Sequence, residues 1–231
     1  MKDKIGLLFS HLHVRENELY KFNMLRYSIE HFKNFDSDFY IVVSGHGVNP
    51  PDFITEQIDD MYWESQIDTN EIGVGHPKFC IKGYELLLNQ GISNCMKLRG
   101  SDLITKEDKL LSAIKTPKVT LTEQTSFDRG MIGDLLMIGP TAMVQDLWSK
   151  NSWNYKKSGL YNLFDNARSQ CENHFDLHEQ LKNKYNFLSP HEIGWMTLEN
   201  NWNDQELNII EPFSQKHLWG HMQGYGYYGG F

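Results

Sequence analysis

Apolar residues follow two alternating patterns along this chain. Short unbroken apolar runs suit strands buried on both faces, and between them lie stretches where apolar residues return every three or four positions, which suits helices packed by one face. The first run, Lys4-Ile5-Gly6-Leu7-Leu8-Phe9, ends in the polar group Ser10-His11-Leu12-His13, as a central strand entering a loop would. From about Glu16 to Lys33, Leu19, Phe22, Leu25, Ile29 and Phe32 line one helix face. Asp38-Phe39-Tyr40-Ile41-Val42-Val43 predicts a second strand, closed by Ser44-Gly45-His46-Gly47. Strand, helix, strand implies a parallel pair joined by a crossover, so both strand C-termini share one edge and the two His-containing loops are neighbours.

The alternation continues. Ile81, Tyr84, Leu87 and Leu88 share a helix face with Gly91 as its stop, and Ser93-Asn94-Cys95-Met96-Lys97-Leu98 is a third strand, ending in Arg99-Gly100-Ser101-Asp102. Thr105 can cap a helix striped by Leu110, Leu111 and Ile114, and Lys118-Val119-Thr120-Leu121 predicts a short strand. Asp134 to Gly139 predicts another strand, before a helix opened by Pro140 and carrying Met143, Val144 and Leu147. After Gly159 the character changes: Leu160, Leu163, Phe164, Ala167 and Cys171 form a helical stripe with no strand beside it. A further helix opens at Ser189-Pro190-His191-Glu192, a capping box with proline in the first turn, and Leu207 to Ile210 reads as a late strand. The expectation is an α/β protein with chemistry at its strand ends, an α/β part over 1–150 and a mainly helical part over 151–231.

With 231 residues the chain fits one domain with a substantial core, and 13% aromatic residues do not suit a disordered chain. The net charge of −8 argues against nonspecific nucleic-acid or anionic-membrane binding, since both need a concentrated positive field, while a nucleotide can bind through a few local contacts. Charges at Lys2, Asp3 and Lys4 and a short apolar run after them do not make a signal peptide or membrane span, so a cytoplasmic protein is expected. Nothing in the residues specifies an oligomeric state. Cys80, Cys95 and Cys171 are too widely spaced for a redox or metal motif and are expected as buried thiols.

Open α/β sheets bind ligands beyond the carboxyl ends of their strands. The polar residues there are Ser10, His11, His13, Ser44, His46, Arg99, Asp102 and Asp128; each alone reads equally as a solvated loop residue, and their recurrence on one edge favours a site. Lys97 and Arg99 lie two apart on a strand and share a face, so either can neutralise a diphosphate or serve as an ion-pair partner of a nearby acid.

Three stretches carry a family resemblance: Phe9 to His13, Lys82-Gly83-Tyr84-Glu85 through Met96 to Asp102, and Phe127-Asp128-Arg129 through Asp134 to Gly139. Over about residues 4–150 the chain resembles the WavE-like lipopolysaccharide-synthesis and related GT-A glycosyltransferases. The resemblance implies a GT-A-like (Rossmann-like), mostly parallel sheet flanked by helices, a nucleotide-sugar donor, a glycan or polysaccharide acceptor and Mn²⁺ or Mg²⁺. It puts the helical second half on the acceptor side.

In such enzymes Asp-x-Asp at a strand end holds the divalent ion against the donor diphosphate, because hard cations prefer oxygen ligands and share them with phosphates. Here Gly100-Ser101-Asp102 lacks the first acid, and Asp102 stands where the second would be. The resemblance also offers His217 and His221, flanking Trp219, as C-terminal metal ligands, and Asp128 or Asp134, with Glu123 behind them, as the general base that takes the acceptor proton. Trp148, Trp153, Trp195, Trp202 and Trp219 read mostly as partly buried rings, with sugar stacking as the alternative for an exposed one. The Gly- and Tyr-rich end from Gln223 reads as a flap over the site or a loosely packed terminus.

Other classes stay open. A metal-dependent hydrolase would need His11, His13, His46, His217 and His221 to converge, and there is no HExxH spacing. An oxidoreductase or methyltransferase lacks a GxGxxG turn after the first strand. A noncatalytic sugar-binding or assembly protein that kept the fold after losing the metal site is a further alternative, raised by the missing first acid.

Overall fold

A computed structural model of the chain describes residues 4–65, 75–126, 129–149, 184–200 and 207–210. Its first strands are β1 (Ile5–Val14), β2 (Phe39–Gly47) and β3 (Asp60–Glu64), with α1 (Tyr20–Lys33) and the short α2 (Asp52–Thr55) between them. Next come α3 (Gly75–Asn89), β4 (Asn94–Leu98), β5 (Asp102–Ile104) and α4 (Glu107–Ile114). They are followed by β6 (Thr120–Ser126), β7 (Arg129–Pro140), α5 (Thr141–Ser149), β8 (Asn186–Leu188), α6 (Pro190–Ile193), β9 (Trp195–Asn200) and β10 (Leu207–Ile210).

One sheet has seven strands in the order β3-β2-β1-β4-β7-β6-β8, and a second has three in the order β10-β9-β5. β1, β2, β3 and β4 run parallel to one another, and β7 runs antiparallel to β4 and β6. This is the expected α/β architecture, a mostly parallel sheet with helices on both faces.

The two faces follow from strand periodicity. Leu7 and Phe9 of β1, Ile41 and Val43 of β2, and Met96 and Leu98 of β4 bury against Phe22, Leu25, Ile29 and Phe32 of α1 and against α4. Leu8, Val42, Cys95 and Met137 point the other way, into a core closed by Cys80, Ile81, Tyr84 and Leu87 of α3 and by Val144 and Trp148 of α5. Of the expected helical stripe, Leu19 falls outside: α1 begins at Tyr20, and Leu19 is exposed. Cys80 and Cys95 are buried thiols, as expected, and burial pushes the Cys95 thiol up to about 12.

Three expectations change. β1 and β2 do not break at Phe9 and Val43; the polar residues expected in loops remain in the strands, and His13 pairs with His46 in register. β7 does not continue the parallel alternation, because only the two residues 127–128 separate it from β6, too few for a crossover, so the pair closes as an antiparallel hairpin. The helix at Ser189 opens as the capping box requires, with the Glu192 carboxylate accepting from Ser189 N–H at 2.7 Å and Glu192 N–H donating to Ser189 Oγ at 3.2 Å. It ends after one turn, because Gly194 takes φ +64° and turns the chain into β9. The late strand at Leu207–Ile210 is present as β10. The expected helix from Leu160 lies outside the described residues. No helix among the described residues is long and apolar enough to cross a membrane.

Candidate functional site

β1 is where the sheet changes direction. The chain leaves it through α1 to β2 on one side, and returns from β3 through α3 to β4 on the other, with α1 and α3 on opposite faces. Diverging connections open a crevice at the carboxyl ends of the two strands that flank such a point. Phe9 pairs with Leu98 across it, so the next residues along the two strands at that edge are Ser10 and Arg99.

The backbone is irregular at this spot. From Phe9 to Leu12, β1 advances three residues while β2 advances two, from Val43 to Gly45. The extra residue is a bulge at Ser10-His11 facing Ser44, a device common beside active sites because it redirects side chains. Ser10 and Ser44 are both buried, and the Cys80 thiol donates to Ser10 Oγ at 3.4 Å. Ser44 Oγ has no hydrogen-bond partner among the described residues. A buried hydroxyl left unmatched costs about 1–3 kcal/mol, so it marks a place where a polar ligand atom would be welcome. For His11 the structure describes the backbone, within β1.

Past the bulge the strands pair again, and their side chains form a ring column. The imidazoles of His13 and His46 stack at 4.5 Å between centroids, and His46 stacks on Phe79 of α3 at 4.9 Å. Burial, then the neighbouring His13, lowers the His46 pKa to about 4, and burial with the nearby Lys21 lowers that of His13. Both rings are therefore neutral at physiological pH, each with one donor and one acceptor nitrogen. His13 Nε2 is buried and without a hydrogen-bond partner among the described residues. On the outer side Glu64 accepts from Tyr62 Oη at 2.5 Å and pairs with Lys78 at 2.5 Å. Burial, then that hydrogen bond, raises the Tyr62 hydroxyl to about 12.

Gly45 makes this packing possible: a Cβ there would overlap the Leu12 carbonyl oxygen and press on the Trp63 ring. Gly45→Ala is expected to cost about 2 kcal/mol by overpacking, read from the urea midpoint at constant slope.

On the other side of the crevice, Arg99 and Asp102 form one closed unit. Arg99 Nη2 donates to Asp102 Oδ1 at 2.7 Å, Nε donates to Oδ2 at 3.0 Å, and the Arg99 backbone N–H donates to Oδ2 at 3.1 Å. Thr197, opposite Asp102 in the β5–β9 pairing, donates its hydroxyl to Oδ1 at 3.0 Å. Asp102 is wholly buried, whereas the Arg99 side chain keeps 23% of its surface exposed. Thr197 gave no signal in the sequence, because its role depends on a strand pairing 95 residues away.

This arrangement bears on the expected divalent ion. Both Asp102 oxygens are already engaged by protein donors, so as it stands the carboxylate does not fit as a ligand for Mn²⁺ or Mg²⁺. Among the described residues no three His, Cys, Asp or Glu side chains group so as to hold a metal ion. His217 and His221 lie outside the described residues. Asp102 takes the ion-pair role that the sequence left open for a nearby acid.

Lys97, expected to share a face with Arg99 toward a ligand, is buried within the sheet, its ammonium 5.0 Å from the Trp148 ring centroid. Trp148 and Trp195 are buried rings, as expected for most of the tryptophans.

The reversed direction of β7 brings a further candidate to the same edge. Lys97 pairs with Met137, so the residues preceding Met137 reach the carboxyl end of β4. Between Gly133, opposite Thr122, and Met137, opposite Leu121, β7 bulges, and Asp134 lies in that bulge. The backbone thus places Asp134 on the edge that carries Ser10 and Arg99. Asp128 lies outside the described residues, as do Trp153, Trp202, Trp219 and the Gly- and Tyr-rich end.

No family model and no curated protein matches the chain. Among solved structures it is similar to a glycosyltransferase involved in the glycosylation of the major capsid of PBCV-1, at 9% identity and a TM-score of 0.46 over 81% of this chain and 82% of that one. It is also similar to a protein from Desulfovibrio desulfuricans G20 named for nucleotide-diphospho-sugar transfer, at 9% identity and a TM-score of 0.44 over 82% and 80% of the two chains. A third is a cytidylyltransferase from Leptospira borgpetersenii serovar Hardjo-bovis, at 14% identity and a TM-score of 0.47 over 82% and 77%.

Proposed function

We propose that the protein is a glycosyltransferase that moves a sugar from a nucleotide-activated donor to a glycan or polysaccharide acceptor. One observation carries this reading above all: buried hydroxyls and neutral imidazoles on β1 and β2, and a guanidinium just after β4, belong to the strands at which the parallel sheet changes direction. A nucleoside diphosphate needs that mixture, with neutral donors and acceptors and a flat ring surface for the nucleoside and a cation for the phosphates.

Ser10, Ser44, His11, His13 and His46 stand on the nucleoside side in this reading, and Arg99 on the diphosphate side. In the transfer the acceptor oxygen bonds to the anomeric carbon as the bond from that carbon to the diphosphate oxygen breaks. The electron pair leaves with the diphosphate, and the acceptor hydroxyl proton passes to a base. Asp134 and Asp128 are the carboxylates proposed for that base, and Asp134 has the backbone placement in its favour.

A thermal-shift screen of UDP-, GDP-, CDP- and ADP-linked sugars tests the reading. A ligand that binds only the native state at about 100 times its Kd adds about 2.7 kcal/mol of stability, a shift well above noise. One nucleotide class is expected to give such a shift. A flat response to all four, with a shift from free glycans instead, would transfer the assignment to the noncatalytic sugar-binding reading.

A further inference from the structure

We infer that the donor diphosphate is held by Arg99, with Asp102 as its positioning residue, and that the donor binds without a divalent cation. This rests on the nucleotide-sugar reading above and departs from the metal use that the resemblance implies.

The position where a metal-binding carboxylate would stand is filled by a carboxylate that holds a cation of a different kind. Asp102 is wholly buried, and it receives the Arg99 side chain, the Arg99 backbone N–H and the Thr197 hydroxyl. For Asp102 to ligate an ion from solvent, these bonds would have to be surrendered and the Arg99 guanidinium displaced from its buried partner. Losing one partner of a buried ion pair is strongly destabilising, and that loss would be drawn from the affinity of any ion bound there.

The same bonds also fix the guanidinium in place. Arg99 is the first residue after β4, its backbone is tied in a turn by Asp102 N–H donating to Arg99 O at 3.1 Å, and the Gly100 carbonyl accepts from Ser28 Oγ of α1 at 3.1 Å. A guanidinium held this way loses little freedom when a phosphate arrives; its side chain keeps 23% of its surface exposed, and its backbone follows β4 at the edge where Ser10 follows Phe9 in β1. It supplies a positive charge where an ion bridged to Asp102 would have supplied one.

The experiment is calorimetric titration of the full chain with UDP, GDP, CDP and ADP, in EDTA and in Mn²⁺, followed by the parent nucleoside of whichever binds. Affinity in EDTA within about twofold of that in Mn²⁺ is expected, less than 0.5 kcal/mol of difference. Arg99→Met combined with Asp102→Asn removes both charges together, strands neither, and keeps an acceptor for Thr197. That double variant is expected to lose about tenfold or more in diphosphate affinity with nucleoside affinity unchanged, the size of one charge-assisted contact.

Binding that collapses in EDTA and returns with Mn²⁺ would overturn the inference and leave the transferase reading standing. Equal loss of diphosphate and nucleoside affinity in the double variant would reduce the pair to a support of the fold and also overturn it. No binding of any nucleotide in either buffer would remove the transferase reading itself.

Discussion

Asp102→Ala is expected to destabilise the protein by about 3 kcal/mol, the lower end of what breaking a buried ion pair costs, because Arg99 retains some solvent to relax into. For a chain of this length that corresponds to a fall in melting temperature of roughly 6–12 °C. The loss falls mainly on one partner. The Arg99 side chain and backbone N–H lose their acceptor, whereas the Thr197 hydroxyl can still donate to the Ser101 carbonyl oxygen at 3.2 Å. Asp102→Asn separates charge from shape, since the amide oxygen can still accept from Thr197 while the negative charge facing Arg99 is gone. It should fall between wild type and alanine. Thr197→Val leaves the ion pair intact and should cost about 1 kcal/mol, the ordinary worth of one hydrogen bond. The order of the three variants distinguishes a buried pair from an exposed one, and an Asp102→Ala protein melting within about 2 °C of wild type would show that the pair is solvent-screened and worth little.

The contrast between Asp102 and the histidines shows which parts of the site could be read from sequence. His13 and His46 were expected as neighbours because strand, helix, strand fixes a parallel pair, and local periodicity suffices for that. They stack ring on ring because the strands run on past their apolar segments, so the polar residues inherit the strand register. Asp102 was placed by analogy at a strand end, where it is expected to face solvent. Its burial depends on β9, and no strand is expected from the sequence at Trp195-Met196-Thr197-Leu198, which follow the helix opened by the capping box at Ser189. Gly194 was the local sign that the helix stops, and only a left-handed backbone turn there lets β9 reach β5. β3 was missed for a different reason: Asp60-Met61-Tyr62-Trp63-Glu64 is an edge strand with acids at both ends and no buried residue, so neither apolar period is present. The direction of β7 needed only the spacing between its start and the end of β6, but residues 122–133 carry no apolar run, so the hairpin that places Asp134 was not legible.

Acidification is expected to weaken the protein between pH 6.5 and 4, through the same ring column that is proposed to meet the nucleoside. His46 binds its proton near pH 6.5 when unfolded and near pH 4 when folded, so across that window the unfolded chain holds more protons and stability falls as pH falls. The slope for one such group is about 1.4 kcal/mol per pH unit, which gives roughly 2 kcal/mol lost between pH 7 and pH 5 and about 3 by pH 4. His13 acts in the same direction, because burial also lowers its pKa, and a proton on either ring would repel one on the other across the stack. The carboxylates nearby titrate lower: Glu18 and Glu64 are shifted below the usual carboxylate range against the effect of their burial, by Lys21 and by Lys78 with Tyr62. Their loss belongs below about pH 4.5 and leaves the histidine window clear above that. Urea denaturation at pH 7, 6 and 5 measures the slope directly. His46→Phe keeps a ring between His13 and Phe79 but cannot take a proton, so it should remove most of the slope while nearly preserving stability at pH 7. A wild-type protein equally stable at pH 7 and pH 5 would mean that the column opens to water and protonates freely. In that case a neutral ring surface is not what this edge of the sheet offers a nucleoside.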